Sequence, residues 1–443
     1  MGIAVSPHLS PAGRGRPRSG RVRGLALLRE DRAPSPGAVG ADLSRRERLG
    51  RWPLVAVAAL LAATPVLAQP APAPLSVTPA GRMETVFDWS QAACEPSHVP
   101  DAPARAFRRA DGTVALIASH NDNRLFKGGS LDALQPDCDI VFEAARSADL
   151  ARYDDLAWIS SIHTTDGRTV HALAHAELRG DRARGLCPTG DYSACLFNTV
   201  TALVSRDGGE TFQVEGDGPA VVAALPYRFP TDRTSRVGYA NPTNIVTRDG
   251  WHYAMMFADG YRAQTRGVCL IRTRTLDDPS SWRAWDGEGF GARFVDPFGG
   301  TVGDPQDHVC APVGRGVIGR MVGGIVEHRP SGRVIAVFGD RRRDARGRAV
   351  SGIYASTSDD LIGWTRPTLV LEAPLLWEDS CDGGAPLFYP ALIDPDARTP
   401  SFEDTGDTAF LYLTRYQLEG CKVTWDRDLV RVPVRISAGN EGN

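Results

Sequence analysis

The 443-residue sequence predicts an all-β fold, and specifically a single-domain, five-bladed β-propeller. Two observations lead to this prediction. The apolar runs after residue 75 are short, alternate with polar residues or are β-branched, and are separated by Asp-Gly, Gly-Gly and Pro turn signals, as in strands joined by tight turns. One unit of such strands also recurs along the chain, with copies that start near residues 106, 159, 241, 323 and 389.

Each copy of the repeat consists of a hairpin, a gap and a third strand. The clearest copy covers residues 241–260 and 267–285. A single copy cannot bury its own apolar face, whereas radial packing of several copies covers both faces of every sheet and leaves only short edges. A β-sandwich is the alternative architecture, but five similar units fit it less well.

The N-terminal region precedes the repeats. Residues 1–51 are rich in Arg, Gly and Pro and are expected to be a disordered leader, or the product of a start codon assigned too early. Residues 52–68 follow four arginines and end in Val-Leu-Ala, as a secretory signal peptide does. The alternative is a buried core helix. Residues 69–85 are interpreted as a Pro-rich spacer and residues 86–443 as the propeller, in a secreted or periplasmic protein.

Charge is distributed unevenly along the chain. Eleven arginines against four acids give residues 1–68 a net charge of +7, so the overall charge of −3 leaves −10 on the remaining 375 residues. An acidic mature chain argues against nucleic acid as a partner. No interior apolar run reaches 18 residues, so no membrane association is expected after signal cleavage. The oligomeric state stays open.

All eight cysteines follow the predicted signal, and an even number in an exported chain predicts disulfides. Sequence alone allows 105 pairings. Pairing each cysteine with its nearest neighbour gives the hypothesis Cys94–Cys138, Cys187–Cys195, Cys269–Cys310 and Cys381–Cys421. No C-x-x-C motif occurs, so a zinc ribbon or a thioredoxin-like site is not supported.

One turn of the second repeat is similar to a known structural motif. Residues 205–212 read SRDGGETF and resemble the Asp-box of sialidases, S-x-D-x-G-x-T-W, with Phe in place of Trp. Residues 275–282 and 358–364 are looser relatives. In this motif the Asp accepts backbone N–H bonds and the aromatic residue packs between strands, so it is structural and also occurs in non-enzymes.

The five units and the phrase at residues 241–253 resemble the five-bladed glycosidase superfamily, which includes arabinanases, β-xylosidases, invertases and levansucrases. This resemblance implies a glycoside hydrolase-like activity on carbohydrate. It also implies an acid near the start of the first inner strand. Residues 107–110 contain no carboxylate before Asp111, and Asn241 stands where an acid is expected in the third blade. Whether the protein is an enzyme therefore stays open.

Polar side chains come directly after the second strand of each repeat, and these strand ends are expected to meet on one face of a propeller. The predicted catalytic residues are Glu177 as general acid, with Asp122 or Asp259 as base. The predicted substrate-binding residues are His120, Arg124, His175, Asn241, Asp340, Arg341, Arg415 and Tyr416. Simple solvation of strand ends is the alternative explanation. Tyr416 or Trp158 is expected to stack on a sugar ring.

The sequence therefore predicts a secreted glycoside hydrolase-like protein that cleaves a glycosidic bond with two carboxyl groups, one acid and one base or nucleophile. A non-catalytic carbohydrate-binding or interaction propeller is the main alternative. A lactonase- or phosphoesterase-type metal enzyme is the third. We expect no cofactor and no metal among the site residues, although the loop with Asp304, Asp307 and His308 allows a structural Ca²⁺.

Overall fold

The computed structural model describes residues 75–147, 149–182, 185–216, 218, 220–378 and 384–438. The predicted leader and signal peptide lie outside the described residues, as does the spacer up to residue 74. The described part of the chain is all-β, as predicted. Its helices are α1 (Trp89–Ala92) and short 3-10 turns at Leu150–Arg152, Gly180–Arg182, Ser193–Cys195, Pro279–Ser281 and Pro305–His308.

The strands follow one another in consecutive sets. Two short strands come first, namely β1 (Leu75–Pro79) and β2 (Glu84–Phe87). The first set contains β3 (Arg105–Arg108), β4 (Val114–Ile117), β5 (Arg124–Gly128) and β6 (Gln135–Ile140). The second set contains β7 (Leu156–His163), β8 (Val170–Arg179), β9 (Leu196–Ser205), β10 (Gln213–Val214) and β11 (Val221–Ala223).

Three further sets complete the described chain. The third contains β12 (Val237–Ala240), β13 (Val246–Arg248), β14 (Trp251–Asp259), β15 (Gly267–Thr273) and β16 (Arg283–Ala284). The fourth contains β17 (Val322–His328), β18 (Arg333–Arg343), β19 (Ala349–Ser358) and β20 (Thr368–Glu372). The fifth contains β21 (Leu387–Ile393), β22 (Asp404–Thr405), β23 (Thr408–Glu419) and β24 (Lys422–Ala438), although β22 pairs with β17.

Neighbouring strands within each set are antiparallel, and the second and third sets are joined into one sheet by a parallel pairing of β12 with β9. Gly238 allows this close approach. Its φ is +108°, and a Cβ atom there would lie 2.0 Å from the carbonyl oxygen of Asn198. Only glycine accommodates both the backbone conformation and the contact.

Both faces of the sheets are buried, and each apolar cluster lies between two sets. One cluster joins the first and second sets through Phe107 and Ile159, and another joins the third and fourth through Met255 and Phe338. The second and third sets share a cluster, as do the fourth and fifth. The remaining cluster packs Leu116 of the first set with residues of the fifth. The apolar contacts therefore run from each set to the next and from the fifth back to the first.

The strand β1 belongs to the fold, although the sequence analysis assigned its residues to the spacer. It pairs with β24 along its whole length, from Leu75 opposite Ala438 to Pro79 opposite Val434. Leu75 and Val77 alternate inward with period 2 and are buried among the fourth and fifth sets. The sheet of the fifth set therefore includes residues before residue 86. The short alternating pattern of Leu75–Pro79 follows a Pro-rich stretch, yet it forms a strand because it pairs with β24.

Candidate functional site

Glu177 and Asp259 lie at the same edge of the joined sheet. Glu177, near the end of β8, faces Leu156 at the start of β7 and Asn198 near the start of β9. Gly238 pairs with Asn198 on one side and with Asp259, the last residue of β14, on the other. The ends of second strands and the starts of first strands therefore gather at one edge, here called the Glu177 end.

The carboxyl group of Glu177 is largely shielded from solvent, with 13% of its side chain exposed. The Tyr192 hydroxyl donates a hydrogen bond of 3.1 Å to one carboxylate oxygen, and His175 Nε2 lies 3.9 Å from the other. Burial raises the pKa of Glu177 to about 7, and the Asp101 charge acts in the same direction. The Tyr192 hydrogen bond and Arg236 oppose this rise. A carboxyl group in this environment can hold a proton near neutral pH.

His175 is the buried neighbour of Glu177. Burial lowers its pKa to about 4, so the ring is neutral at pH 7. The ring lies 5.8 Å from that of Trp158, and its Nε2 atom has no hydrogen-bond partner. The ring next to Glu177 is therefore a neutral imidazole that packs against an indole, and burial in such surroundings favours the protonated carboxyl group.

Asp101 supplies a carboxylate that sequence reasoning missed. It lies four residues before β3, and its side chain accepts a hydrogen bond of 2.7 Å from Arg427 on β24. His120 Nε2 is 3.7 Å from its other oxygen. A chain of contacts through His120, Trp158 and His175 connects Asp101 to Glu177, and the charge of Asp101 raises the pKa values of Glu177 and His175. The available signal was Pro-Asp-Ala-Pro at residues 100–103, just ahead of the stretch in which an acid was sought.

Aromatic rings pack against His120 and Arg427, the two partners of the Asp101 carboxylate. His120 packs edge-on against Trp158 and Trp425, with ring centroids 5.5 and 5.6 Å apart. The Arg427 guanidinium lies 4.9 Å from the Tyr416 ring centroid. Tyr416 and Trp158 are both buried, whereas Trp425 is 37% exposed. Trp425, which sequence reasoning did not single out, is therefore the ring here that is open to a ligand.

Asp259 lies between two arginines. Its carboxylate oxygens are 3.4 Å from Arg236 Nε and 3.6 Å from Arg266 Nε. Burial raises its pKa, while both arginines oppose the rise. Both of its oxygens thus lie near cations. The charge of Asp259 nevertheless acts to raise the pKa of His175.

Asp122 and Arg124 belong to a different cluster. One Asp122 oxygen accepts hydrogen bonds from Ser97 at 2.9 Å and from Arg124 at 3.0 Å. Arg124 also pairs with Glu95 and donates to the carbonyl oxygen of Cys138. These contacts tie the first set to the loop that carries Cys94. They pair the charge of Asp122 with a local cation, while its other oxygen, Oδ1, is buried without a hydrogen-bond partner.

The other predicted substrate-binding residues have diverse surroundings. Asp340 pairs with Arg320 at 3.3 Å, and Arg341 lies 3.6 Å from Glu378. Arg415 binds Asp428 at 2.8 Å. Because adjacent residues of a strand point to opposite faces, the side chains of Arg415 and Tyr416 lie on opposite faces of β23. Asp259 pairs near the start of β12, whereas Asn241 comes directly after the end of that strand. The φ of Asn241 is +48°.

Three of the predicted disulfides are present: Cys94–Cys138, Cys187–Cys195 and Cys269–Cys310. Cys421 is also disulfide-bonded, whereas Cys381 lies outside the described residues. The Cys187–Cys195 bridge closes the loop between β8 and β9 that carries Tyr192. This bridge therefore restrains the hydroxyl group that contacts Glu177.

In the loop proposed for Ca²⁺, Asp304 caps the 3-10 turn Pro305–His308 by accepting from Gln306 N at 3.0 Å. His308 Nδ1 lies 2.7 Å from the carbonyl oxygen of Arg293. Both polar groups thus have protein partners.

In the described part of the chain, none of the helices has the length and apolar character that a membrane crossing requires. No protein-family model and no curated protein matches the sequence. A solved protein of unknown function from Dyadobacter fermentans is 11% identical, with a TM-score of 0.43, over 82% of this chain and 99% of its own.

Similar solved structures also include an α-L-arabinanase from Cellvibrio cellulosa, determined with arabinohexaose. It is 11% identical, with a TM-score of 0.42, over 75% of this chain and 91% of its own. A glycosyl hydrolase from Bacteroides ovatus is 11% identical, with a TM-score of 0.40, over 80% and 93% of the two chains. The structures to which this chain is similar thus include arabinanase and glycoside hydrolase proteins.

Proposed function

We propose that this chain is an exported, five-bladed β-propeller that hydrolyses a glycosidic bond at the Glu177 end. The five strand sets are the proposed blades. Apolar clusters between consecutive sets, and between the fifth set and the first, support a closed ring. The predicted signal at residues 52–68 and the disulfides support export.

The observation that carries the proposal is the burial that raises the pKa of Glu177, together with the Asp101 carboxylate whose charge adds to that rise. Hydrolysis of a glycosidic bond requires one carboxylic acid to protonate the leaving oxygen and a second carboxylate as base or nucleophile. A pKa of about 7 lets Glu177 donate a proton at neutral pH, and it is the general acid of this proposal.

Asp101 is the second carboxylate of the proposal. Arg427 holds one of its oxygens at 2.7 Å and His120 Nε2 lies 3.7 Å from the other, so the carboxylate is held in a fixed orientation. Asp259 is the alternative, with two arginines as its partners. Asp122 is a weaker candidate because its partners lie in the ion-pair cluster of Arg124 and Glu95.

Sugar binding is assigned to the exposed ring of Trp425 and to polar groups at the Glu177 end. An exposed indole can stack on the apolar face of a pyranose or furanose, while Arg236 and His120 offer hydrogen bonds to hydroxyl groups. An arginine at this position also suits an acidic sugar.

The test is a screen of the mature protein against chromogenic glycosides and polysaccharides, followed by variants on the substrate that is cleaved. Glu177→Gln and Asp101→Asn should each lower kcat by at least about a hundredfold. Glu419→Gln, which changes an exposed acid at the end of β23, is the matched control and should retain full activity.

Two results distinguish this proposal from a non-catalytic propeller. Full turnover by Glu177→Gln would reject Glu177 as the acid. Saturable glycan binding by the wild-type protein, with no product released from any substrate of the screen, would instead indicate a carbohydrate-binding protein.

A further inference from the structure

A group of metal-ligating side chains lies at the opposite end of the second and third strand sets from Glu177. His171 is six residues before Glu177 on the same face of β8, about 20 Å away at the rise of a strand. Glu215 follows β10, and Asp277 lies in the turn between β15 and β16. Within the described part of the chain, one possible ligand atom from each of His171, Glu215 and Asp277 lies within 4.8 Å of those of the other two.

One donor atom from each of the three residues can face a single ion, because these atoms lie within 4.8 Å of one another. The two carboxylates approach different nitrogens of the ring: Glu215 Oε2 lies 3.9 Å from His171 Nδ1, and Asp277 Oδ1 lies 3.6 Å from Nε2. An imidazole binds one ion through one nitrogen, so Asp277 must turn toward Nδ1 to share an ion with Glu215. Ligands about 2.0–2.2 Å from a tetrahedral zinc ion are roughly 3.3–3.6 Å apart. Asp277 is 69% exposed, so rotation of its side chain can supply the small closure that is required.

A second observation points to a missing ligand. The side chain of Glu215 is only 6% exposed, and Arg206 lies 3.3 Å from its Oε1 atom. The other oxygen, Oε2, is buried and has no hydrogen-bond partner. His171 Nδ1 is also buried without a partner. A buried carboxylate oxygen left unsatisfied is costly, and an ion between it and the imidazole would remove that cost.

Further imidazoles surround the same place. His163 pairs with His171 across β7 and β8, is 4% exposed, and has both ring nitrogens buried without hydrogen-bond partners. Glu403 Oε2 lies 3.6 Å from its Nδ1 atom. The ring of His252, on β14, lies 4.8 Å from that of His163.

We propose that His171, Glu215 and Asp277 form a divalent transition-metal site, for which zinc is the best-suited ion, with His163 as the candidate fourth ligand. One imidazole and two carboxylate oxygens match the nitrogen and oxygen donors that zinc accepts. The ion joins β8 of the second set to the β15–β16 turn of the third. It therefore fastens two neighbouring strand sets at the end remote from Glu177, and the inference does not depend on the proposed catalytic function.

The experiment uses the full-length chain without a histidine tag, stripped of metal by chelator and dialysis. Zinc is then added, and binding is measured by calorimetry and by mass spectrometry of retained metal. The wild-type protein should retain one zinc ion per chain and show a higher Tm with zinc than without it. Asp277→Asn and His171→Ala should each weaken zinc binding at least tenfold and abolish most of the Tm shift.

The matched control is Glu288→Gln, which removes one exposed acid from the third set and should keep the wild-type zinc affinity within about twofold. Glu177→Gln should also keep it, because Glu177 lies at the other end of β8. The proposal fails if the wild-type protein retains no zinc, if Asp277→Asn binds as the wild type does, or if zinc is lost only in Glu177→Gln. Because Asp277 is exposed, its variant decides the question even if His171→Ala does not fold.

Discussion

At the scale of single residues, the surroundings of Glu177 set its chemistry. Its folded pKa of about 7 lies above the ordinary value of 4.5, so the folded protein binds a proton there more tightly than the unfolded chain. This proton stabilises the fold at low pH, and the advantage is lost as pH rises from about 4.5 through 7. The raised pKa that lets this carboxyl group donate a proton near neutral pH therefore also makes the folded protein less stable at alkaline pH.

Removal of the Tyr192 hydroxyl should shift the pH dependence of hydrolysis. The Tyr192 hydrogen bond favours the charged carboxylate of Glu177 and lowers its pKa. Tyr192→Phe should therefore raise that pKa, so the loss of kcat on the alkaline side should begin at a higher pH. The measurement is a pH profile of kcat on the substrate identified by screening.

Tyr261→Phe is the matched control, because that hydroxyl donates to Asp232 rather than to Glu177. Its profile should coincide with that of the wild-type protein. An alkaline limb that stays in place in Tyr192→Phe, or moves to lower pH, would show that Glu177 does not govern it.

At the scale of elements, the disulfides hold loops against the strand sets. Cys269 lies in β15 and is bonded to Cys310, in the segment before β17, across 41 residues. Cys187 and Cys195 close a loop with a separation of only 8 residues. A bridge limits the freedom of the unfolded chain more when the loop is longer.

The two bridges should therefore contribute unequally to stability. Replacement of both Cys269 and Cys310 by Ala should lower the free energy of unfolding by roughly 4 kcal/mol, against roughly 2.5 kcal/mol for Cys187 and Cys195. Urea unfolding of the two double variants measures the difference. Equal losses, or a larger loss for the shorter loop, would contradict the entropic account of these bridges.

At the scale of the whole molecule, the two ends of the described chain meet in one sheet. The strand β1 pairs with β24, which pairs with β23, so residues near 75 and near 436 belong to the fifth set. Val77 is fully buried among residues of the fourth and fifth sets. The region directly after the predicted export signal therefore contributes to the core.

Val77→Ala should destabilise the whole protein. Loss of two buried methyl groups and the cavity left behind should cost about 2 kcal/mol of unfolding free energy. Thr78→Ala, the exposed neighbour on the other face of β1, should cost less than about 0.5 kcal/mol. Thermal or urea unfolding compares the two, and equal effects would mean that β1 adds no core contacts in solution.

The features that follow from local pattern could be predicted from the sequence. Alternation and turn residues predicted the all-β class, and the spacing of cysteines predicted the three pairs Cys94–Cys138, Cys187–Cys195 and Cys269–Cys310, which are present. His175 and Glu177, predicted at the end of a second strand, lie at the end of β8 and contact each other. The all-β class and the shared face of His175 and Glu177 depend on neighbours in sequence, because side chains in a strand alternate between its two faces.

Tertiary structure alone decided which distant side chains meet. Asp101 and Arg427 are 326 positions apart and bind each other because the first and fifth sets pack together. Asp122, in contrast, is held by Arg124, two residues away, and so has a local partner. Such contacts do not follow from the periodicity of the sequence. They depend on how one sheet packs on another and on the direction in which each side chain leaves its strand.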